Sequence, residues 1–295
     1  MKRGAVAFVV LILTMVTWRV VAAESDPQSH FTQLDGLKIH YTARGTGSDA
    51  LVFVHGWNCD LRFWKRQVGA FRGRVIAIDL PGHGESEKPL ISYTMDLHAR
   101  AIEAVLRDAK VQHATLIGHS NGTPVIRQFY RLFPGKTRAL VIVDGTLRPF
   151  AEPAEMEKFI GPMRGPDYRD YIGHLVDAML RPMKNETDRA EIKAAMLETP
   201  QHVAVSEMEA ILKPEIWGTE KIEVPVLMIL AKQPAWTAEY EKFVRGLVPD
   251  LDYQMWEGVS HFLMIDKPNE FNAAVDAFLM KHHVLLNDAV IPSGA

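Results

Sequence analysis

The sequence predicts an α/β fold built on a mostly parallel sheet, and three observations carry that prediction. Short apolar runs at residues 51–54, 74–78, 114–117 and 139–143 are followed, in most cases, by stretches of helical spacing. Strands that alternate with helices in this way form parallel sheets covered on both faces. The runs pass directly into segments rich in chemistry-bearing residues: His55-Gly56-Trp57, Asp79 to Ser86, and Asp144. The run at 114–117 enters Gly118-His119-Ser120-Asn121-Gly122, and a helical pattern follows over 123–133.

In chain order, the first element is an export signal. Lys2 and Arg3 precede an apolar run over residues 5–16, and Val21-Ala22-Ala23 offers small residues for cleavage. That combination of charge, length and cleavage site is the pattern of a signal peptide over residues 1–23. The run is shorter than the ~20 residues a membrane span requires, and Arg19 interrupts its extension. The expected location of the mature protein is therefore periplasmic or secreted.

Residues 31–34 and 37–43 read as a hairpin about Asp35-Gly36, a dipeptide that supplies the positive φ angles of a tight turn. After the strands at 51–54 and 74–78, residues 95–106 carry helical spacing, with Asp96 at its start. The sheet pattern stops after Asp144. Residues 147–222 are helical in pattern, broken by Pro149, Pro153, Pro162, Pro166, Pro182, Pro200 and Pro214. Thr199-Pro200 is expected to open one of these helices, as N-cap and first helical residue, with Val205, Met208, Ile211 and Leu212 on its apolar side. The sheet resumes with a strand at 226–230, a helix at 238–247, a strand at 252–256 and a closing helix at 268–281. Residues 287–295 read as a loose tail.

The glycines and serine of residues 118–122 spell G-x-S-x-G between strand and helix, the signature of a nucleophile elbow. The turn is too sharp for bulky flanking side chains, so glycines let the backbone pass and Ser120 is pushed to the tip. A serine hydroxyl is a weak nucleophile until a base takes its proton, so the elbow requires a histidine and an orienting acid. The amide of Asn121, which follows the nucleophile, is a candidate oxyanion donor.

Composition narrows the rest. A chain of 295 residues with 47% apolar content can bury a large core, and a net charge of −3 gives no basic bias toward nucleic acid. The single cysteine, Cys59, excludes an intramolecular disulfide framework and reads as a small buried thiol. No His/Cys/Asp cluster has ligand spacing, so neither a metal nor an organic cofactor is expected.

Four marks, His55-Gly56-Trp57, Asp79 to Ser86, Gly118 to Gly122 and Gly258-Val259-Ser260-His261-Phe262, together resemble the α/β-hydrolase fold family in order and spacing. The resemblance covers about residues 31–282 and points to the serine hydrolase and esterase branch that carries a helical cap. It implies an eight-stranded sheet with the active site at the carboxyl ends of its strands. It divides the chain into core (24–146), cap (147–222) and core (223–295), with the cap roofing a substrate pocket. His261 occupies the loop of the family's general base, and the Trp57 amide is the second oxyanion donor. His55, His83 and His119 are expected to be structural, His55 and His119 hydrogen-bonding loops beside the catalytic turns, with substrate contact by His55 or His119 the alternative. Asp79 is expected to hold its own loop.

The family's usual acid would fall on the segment Ala231-Lys232-Gln233-Pro234, which here ends in proline. Asp144 is the expected replacement, since some members carry the acid at the end of the preceding strand. Neighbouring strands lie ~4.8 Å apart, so either rim position can reach the same imidazole. Glu239, Asp250 and Asp252 are alternatives, as is a site with no acid. The expected activity is cleavage of a small carboxylic ester through an acyl-enzyme at Ser120. Carbon–carbon hydrolysis of a diketo acid uses the same parts and would call for an arginine on the cap side of the pocket. A ligand-binding or sensor protein of the same fold is the reading that Pro234 motivates. Dehalogenase and epoxide hydrolase chemistry is disfavoured, because relatives performing either place Asp where this chain has Ser120.

Overall fold

The structure, a computed structural model, describes residues 26–284. The predicted signal peptide and the tail at 287–295 lie outside the described residues. Strands β1 (Gln28–Leu34) and β2 (Leu37–Arg44) form the expected hairpin. It turns on Asp35 and Gly36, whose φ values of 51° and 86° are the consecutive positive angles such a turn demands. β3 (Asp49–Val54), β4 (Arg74–Ile78), β5 (His113–His119), β6 (Thr137–Val143), β7 (Val226–Ala231) and β8 (Leu251–Trp256) complete one eight-stranded sheet in the order β1-β2-β4-β3-β5-β6-β7-β8. The β1/β2 and β2/β4 pairings are antiparallel and all others parallel. Every residue of β7, and all of β3 and β5 after the first, is buried. This explains their unbroken apolar spelling, since strands covered on both faces do not alternate.

Chain order positions the site. From β3 the chain moves outward to β4, then crosses back to β5 on the other side of β3. That reversal opens a crevice at the carboxyl ends of β3 and β5, where ligands bind in open α/β sheets. The crossover helix α1 (Met95–Asp108) is capped by Thr94, whose Oγ1 accepts from the Leu97 amide at 3.1 Å. Asp96 sits in its first turn rather than at the cap, where a carboxylate suits the positive end of the helix dipole. α2 (Gly122–Leu132) follows the elbow directly.

Between β6 and β7 the chain forms α3 (Pro153–Ile160), α4 (Tyr168–Met179), α5 (Glu186–Met196) and α6 (Gln201–Ala210). α6 corrects the expectation for Thr199-Pro200. Pro200 keeps an extended backbone (φ −62°, ψ 143°) and is itself the N-cap, so the helix starts at Gln201 without a side-chain cap. Gln201 Nε2 instead donates to the Met163 and Gly165 carbonyls, both at 2.8 Å, tying that end of α6 to the preceding helices. The buried face of α6 is Val203, Ala204, Glu207, Met208 and Ala210, so Met208 is buried as expected, Val205 only partly, and a glutamate joins the buried face. The insertion is fastened to the core at the end of β3: Trp57 Nε1 donates to Ala204 O at 3.0 Å, and Asn58 Nδ2 to Tyr168 Oη at 3.3 Å. α7 (Ala238–Leu247), α8 (Leu263–Asp266) and α9 (Pro268–Lys281) complete the core. Among the described residues, no helix is long and apolar enough to cross a membrane.

Candidate active site

The elbow between β5 and α2 has the strain its sequence implies. Ser120 has φ 50°, a left-handed conformation rare for a residue with a side chain and typical of strained functional turns. Its amide donates to Val143 O at 2.9 Å and its carbonyl accepts from the Thr123 amide at 2.9 Å, which holds the turn. The flanking glycines are required by close approach. A Cβ on Gly118 would lie 2.6 Å from Gly122 O, and one on Gly122 would lie 2.8 Å from both Val54 O and His55 O.

Asp144 also has a left-handed backbone, φ 44°, immediately after β6. Its amide donates to Ile229 O at 2.8 Å, so the neighbouring strand β7 fixes its position. One carboxylate oxygen accepts from the Ala231 amide at 2.9 Å, and the other lies 2.6 Å from His261 Nδ1. The side chain is 2% exposed, so its desolvated charge is compensated by these two partners. With Nδ1–H donated to the carboxylate, Nε2 of a neutral His261 ring is left with its lone pair. The His261 loop is fixed by its own contacts. Asp266 Oδ2 accepts from the Ser260 amide at 2.6 Å, Ser260 Oγ accepts from the Phe262 amide at 3.1 Å, and His119 Nε2 donates to His261 O at 2.9 Å.

Pro234 lies on an exposed turn after β7. Of the other carboxylates considered, Glu239 is in the first turn of α7, and Asp252 pairs with Lys281 at 2.5 Å. Neither these nor Asp250 borders the cavity that holds Ser120.

That cavity measures about 630 Å³ and brings together Ser120, Asn121, Asp144, His261 and Trp57. Ser120 and His261 both line it, and no hydrogen bond joins their side chains among the described residues. Such contacts tighten around substrate in the course of reaction. Neither the Trp57 nor the Asn121 amide donates to another group of the described chain, so both remain available to a ligand. Gly56 brings the two segments together: a Cβ there would be 3.0 Å from Ser120 Cβ.

Two of the surrounding histidines, His55 and His119, are buried and held in the neutral form. Burial lowers the pKa of His55 to about 4; its Nδ1 donates to Gly56 O and its Nε2 accepts from the Leu80 amide. Burial, reinforced by His261 beside it, holds His119 well below the usual histidine range. His83 donates Nδ1–H to Pro81 O at 3.1 Å. Asp79 binds its loop through the Leu61 and Glu85 amides and His40. Burial pushes the Cys59 thiol far up, which leaves it a poor nucleophile.

The sequence did not reveal the apolar lining. It comprises Phe150, Met156, Phe159, Met179, Ile211 and Trp236, drawn mostly from the insertion and the loop after β7. No motif marks these residues; only the methionine content of residues 147–222 hinted at an adaptable surface. It equally missed a buried cluster behind the site. There Glu207 of α6 lies 2.8 Å from His98 Nε2 of α1 and 3.4 Å from His83 Nε2, as ion-pair contacts without hydrogen-bond alignment.

A strand-ordered sheet, a strained serine elbow and an Asp–His pair at one crevice define an α/β hydrolase architecture. A family model for the alpha/beta hydrolase fold matches residues 49–172, and the chain has that fold. A 2-hydroxy-6-oxononadienedioate/2-hydroxy-6-oxononatrienedioate hydrolase of Burkholderia vietnamiensis is 34% identical over 37% of this chain and 40% of its own length. Est816, described as an N-acyl homoserine lactone degrading enzyme, superposes with a TM-score of 0.70 at 25% identity, covering 84% of this chain and 100% of that one. A thermophilic esterase gives a TM-score of 0.68 at 26% identity, covering 87% and 99%. The chain spans less than half the length of the curated carbon–carbon hydrolase and of an acetoin-cleaving acetyltransferase component that it also matches.

Proposed function

We propose that the protein is a serine hydrolase that cleaves carboxylic esters with an uncharged acyl group. The observation that carries this reading is the 2.6 Å contact between Asp144 and His261 in the cavity that also holds Ser120. Ser120 Oγ attacks the ester carbonyl carbon as its proton passes to His261 Nε2. The carbonyl oxygen becomes an oxyanion held by the Trp57 and Asn121 amides, each donor contributing about 10²–10³ in rate. Collapse breaks the bond to the alkoxy oxygen, which takes the proton from His261 and leaves as the alcohol. Water then attacks the acyl-enzyme, giving its proton to His261, and the acid is released as Ser120 recovers its hydrogen. Asp144 orients the ring and stabilises the imidazolium in both halves.

The lining of the cavity favours an ester over a carboxylate-bearing diketo acid. Among its described residues there is no arginine, and Lys232, its one lysine, pairs with Glu257 at 2.6 Å. The resemblance to a carbon–carbon hydrolase keeps that chemistry as the second reading. The sequence of residues 1–23 supports export to the periplasm or medium, which N-terminal sequencing of the mature protein tests. For the reaction, the test is labelling by a fluorophosphonate together with turnover of p-nitrophenyl esters. Wild type should do both and Ser120→Ala neither. An unlabelled wild-type protein with no esterase activity would point instead to a binding or sensor role.

A further inference from the structure

A second cavity, of about 310 Å³, lies against the first and includes Pro149, Leu212, Pro214 and Trp217 in its lining. Phe150, Ala151, Met156 and Ile211 line both cavities. These four residues therefore form the boundary between the cavities, and one of them, Met156, carries an unbranched thioether that adapts its shape readily. Phe150 stands at this junction with 59% of its surface exposed, an unusual setting for a large apolar ring unless something covers it. At the far side, the Trp217 indole N–H is donated to Ile211 O at 2.8 Å, so its polar atom asks nothing of a ligand.

The charges bordering the two cavities are mostly paired. Glu155, beside the first, pairs with Lys158 at 2.6 Å, and Lys232, the sole lysine or arginine among the lining residues of either, pairs with Glu257 at 2.6 Å; Glu152 borders the second. Such a rim offers no unpaired lysine or arginine to an anionic tail and leaves the apolar lining to an uncharged one. Resting on the ester-hydrolase reading above, we propose that the second cavity is a subsite for the distal part of an unbranched acyl chain, entered past Phe150 and Met156. The preferred substrates are then esters of medium-chain acids rather than acetates.

The test is a series of p-nitrophenyl esters from acetate to dodecanoate. With wild type, kcat/KM should climb from acetate to octanoate, by roughly fourfold at most for each methylene buried. Leu212→Trp fills the second cavity and should lower the octanoate-to-butanoate ratio by about tenfold or more. Trp217→Ala enlarges it and should move the optimum to longer chains. A profile that is flat or falling beyond butanoate, or a ratio unchanged in Leu212→Trp, overturns the subsite. Binding is read apart from turnover in Ser120→Ala, by quenching of tryptophan emission with methyl ω-bromo-octanoate. Quenching that disappears when Trp217→Phe is added supports the subsite even if no ester is turned over, and equal quenching in both variants overturns it.

Discussion

Asp144 reaches His261 from the end of β6, one strand inward from β7, where the family's usual acid follows the strand, and the two side chains meet at 2.6 Å. The contact is possible because the Asp144 amide is hydrogen-bonded to Ile229 O, which draws this residue toward the rim of β7. In Asp144→Asn the amide can still accept from Ala231 but no longer stabilises an imidazolium or selects the right tautomer. Ester kcat should fall by about 10³–10⁴, measured at saturating substrate. Near-wild-type turnover in this variant would exclude Asp144 from the mechanism.

Gly122→Ala tests the elbow. Its new Cβ would sit 2.8 Å from two backbone oxygens, Val54 O and His55 O, neither of which can yield as a flexible side chain would. The turn must shift and carry the Asn121 amide off target, with a loss of about 10² in kcat for one misplaced donor. Asn121→Ala keeps its amide and should stay close to wild type. Equal losses in the two variants would mean that the Asn121 side chain matters, not its main chain.

Glu207 is a carboxylate of the insertion buried against two core histidines, with side-chain exposure of 1% against 0% for each. Glu207→Ala removes the carboxylate that raises the pKa of His83 and packs against His98, and should destabilise the fold by roughly 3–5 kcal/mol, as for other broken buried pairs. Urea unfolding followed by far-UV circular dichroism measures it. A loss under about 1 kcal/mol would show that the cluster contributes little.

The buried histidines also set a pH optimum for stability. His55 is depressed to about 4 and His119 lies well below the usual range, both by burial. The unfolded chain therefore binds protons that the fold refuses, and stability falls as pH drops below about 6.5. His83 has the opposite sign. The Glu207 carboxylate raises its pKa against the effect of burial, with Asp79 adding to it and the His55 ring tilted against it 4.9 Å away. Its contribution is complete below about 6.5 and is lost as pH rises through the raised folded value. Thermal midpoints should peak near pH 6.5, and Glu207→Gln should flatten the alkaline side alone. A midpoint that keeps rising from pH 6.5 to 9 in wild type would contradict the sign for His83, and one that falls from pH 5 to 6.5 would contradict the sign for His55 and His119.

The order and kind of the strands could be read from the chain because strands buried on both faces need uninterrupted apolar side chains, as in β3 and β7. The elbow was equally legible, since only glycine fits at 118 and 122. Pairing Asp144 with His261 needed the strand order as well, because the two are 117 residues apart in sequence. The opening of α6 was misplaced by one residue because capping preferences describe helices in isolation, whereas Gln201 here is anchored to the neighbouring Met163 and Gly165 carbonyls. Glu207 stayed hidden for a related reason. A charged residue on a helix reads as solvated unless its partners are known, and His83 and His98 lie more than a hundred positions away.

Seating the carboxylate on β6 has an evolutionary consequence. Lys232, Gln233, Ala235 and Trp236 border the cavity, yet on this mechanism none takes part in moving the proton. Drift, insertion or shortening in that segment can remould which acids and alcohols are admitted while the reacting groups stay in register, so this turn is a natural place for new specificities to arise, or to be selected in the laboratory.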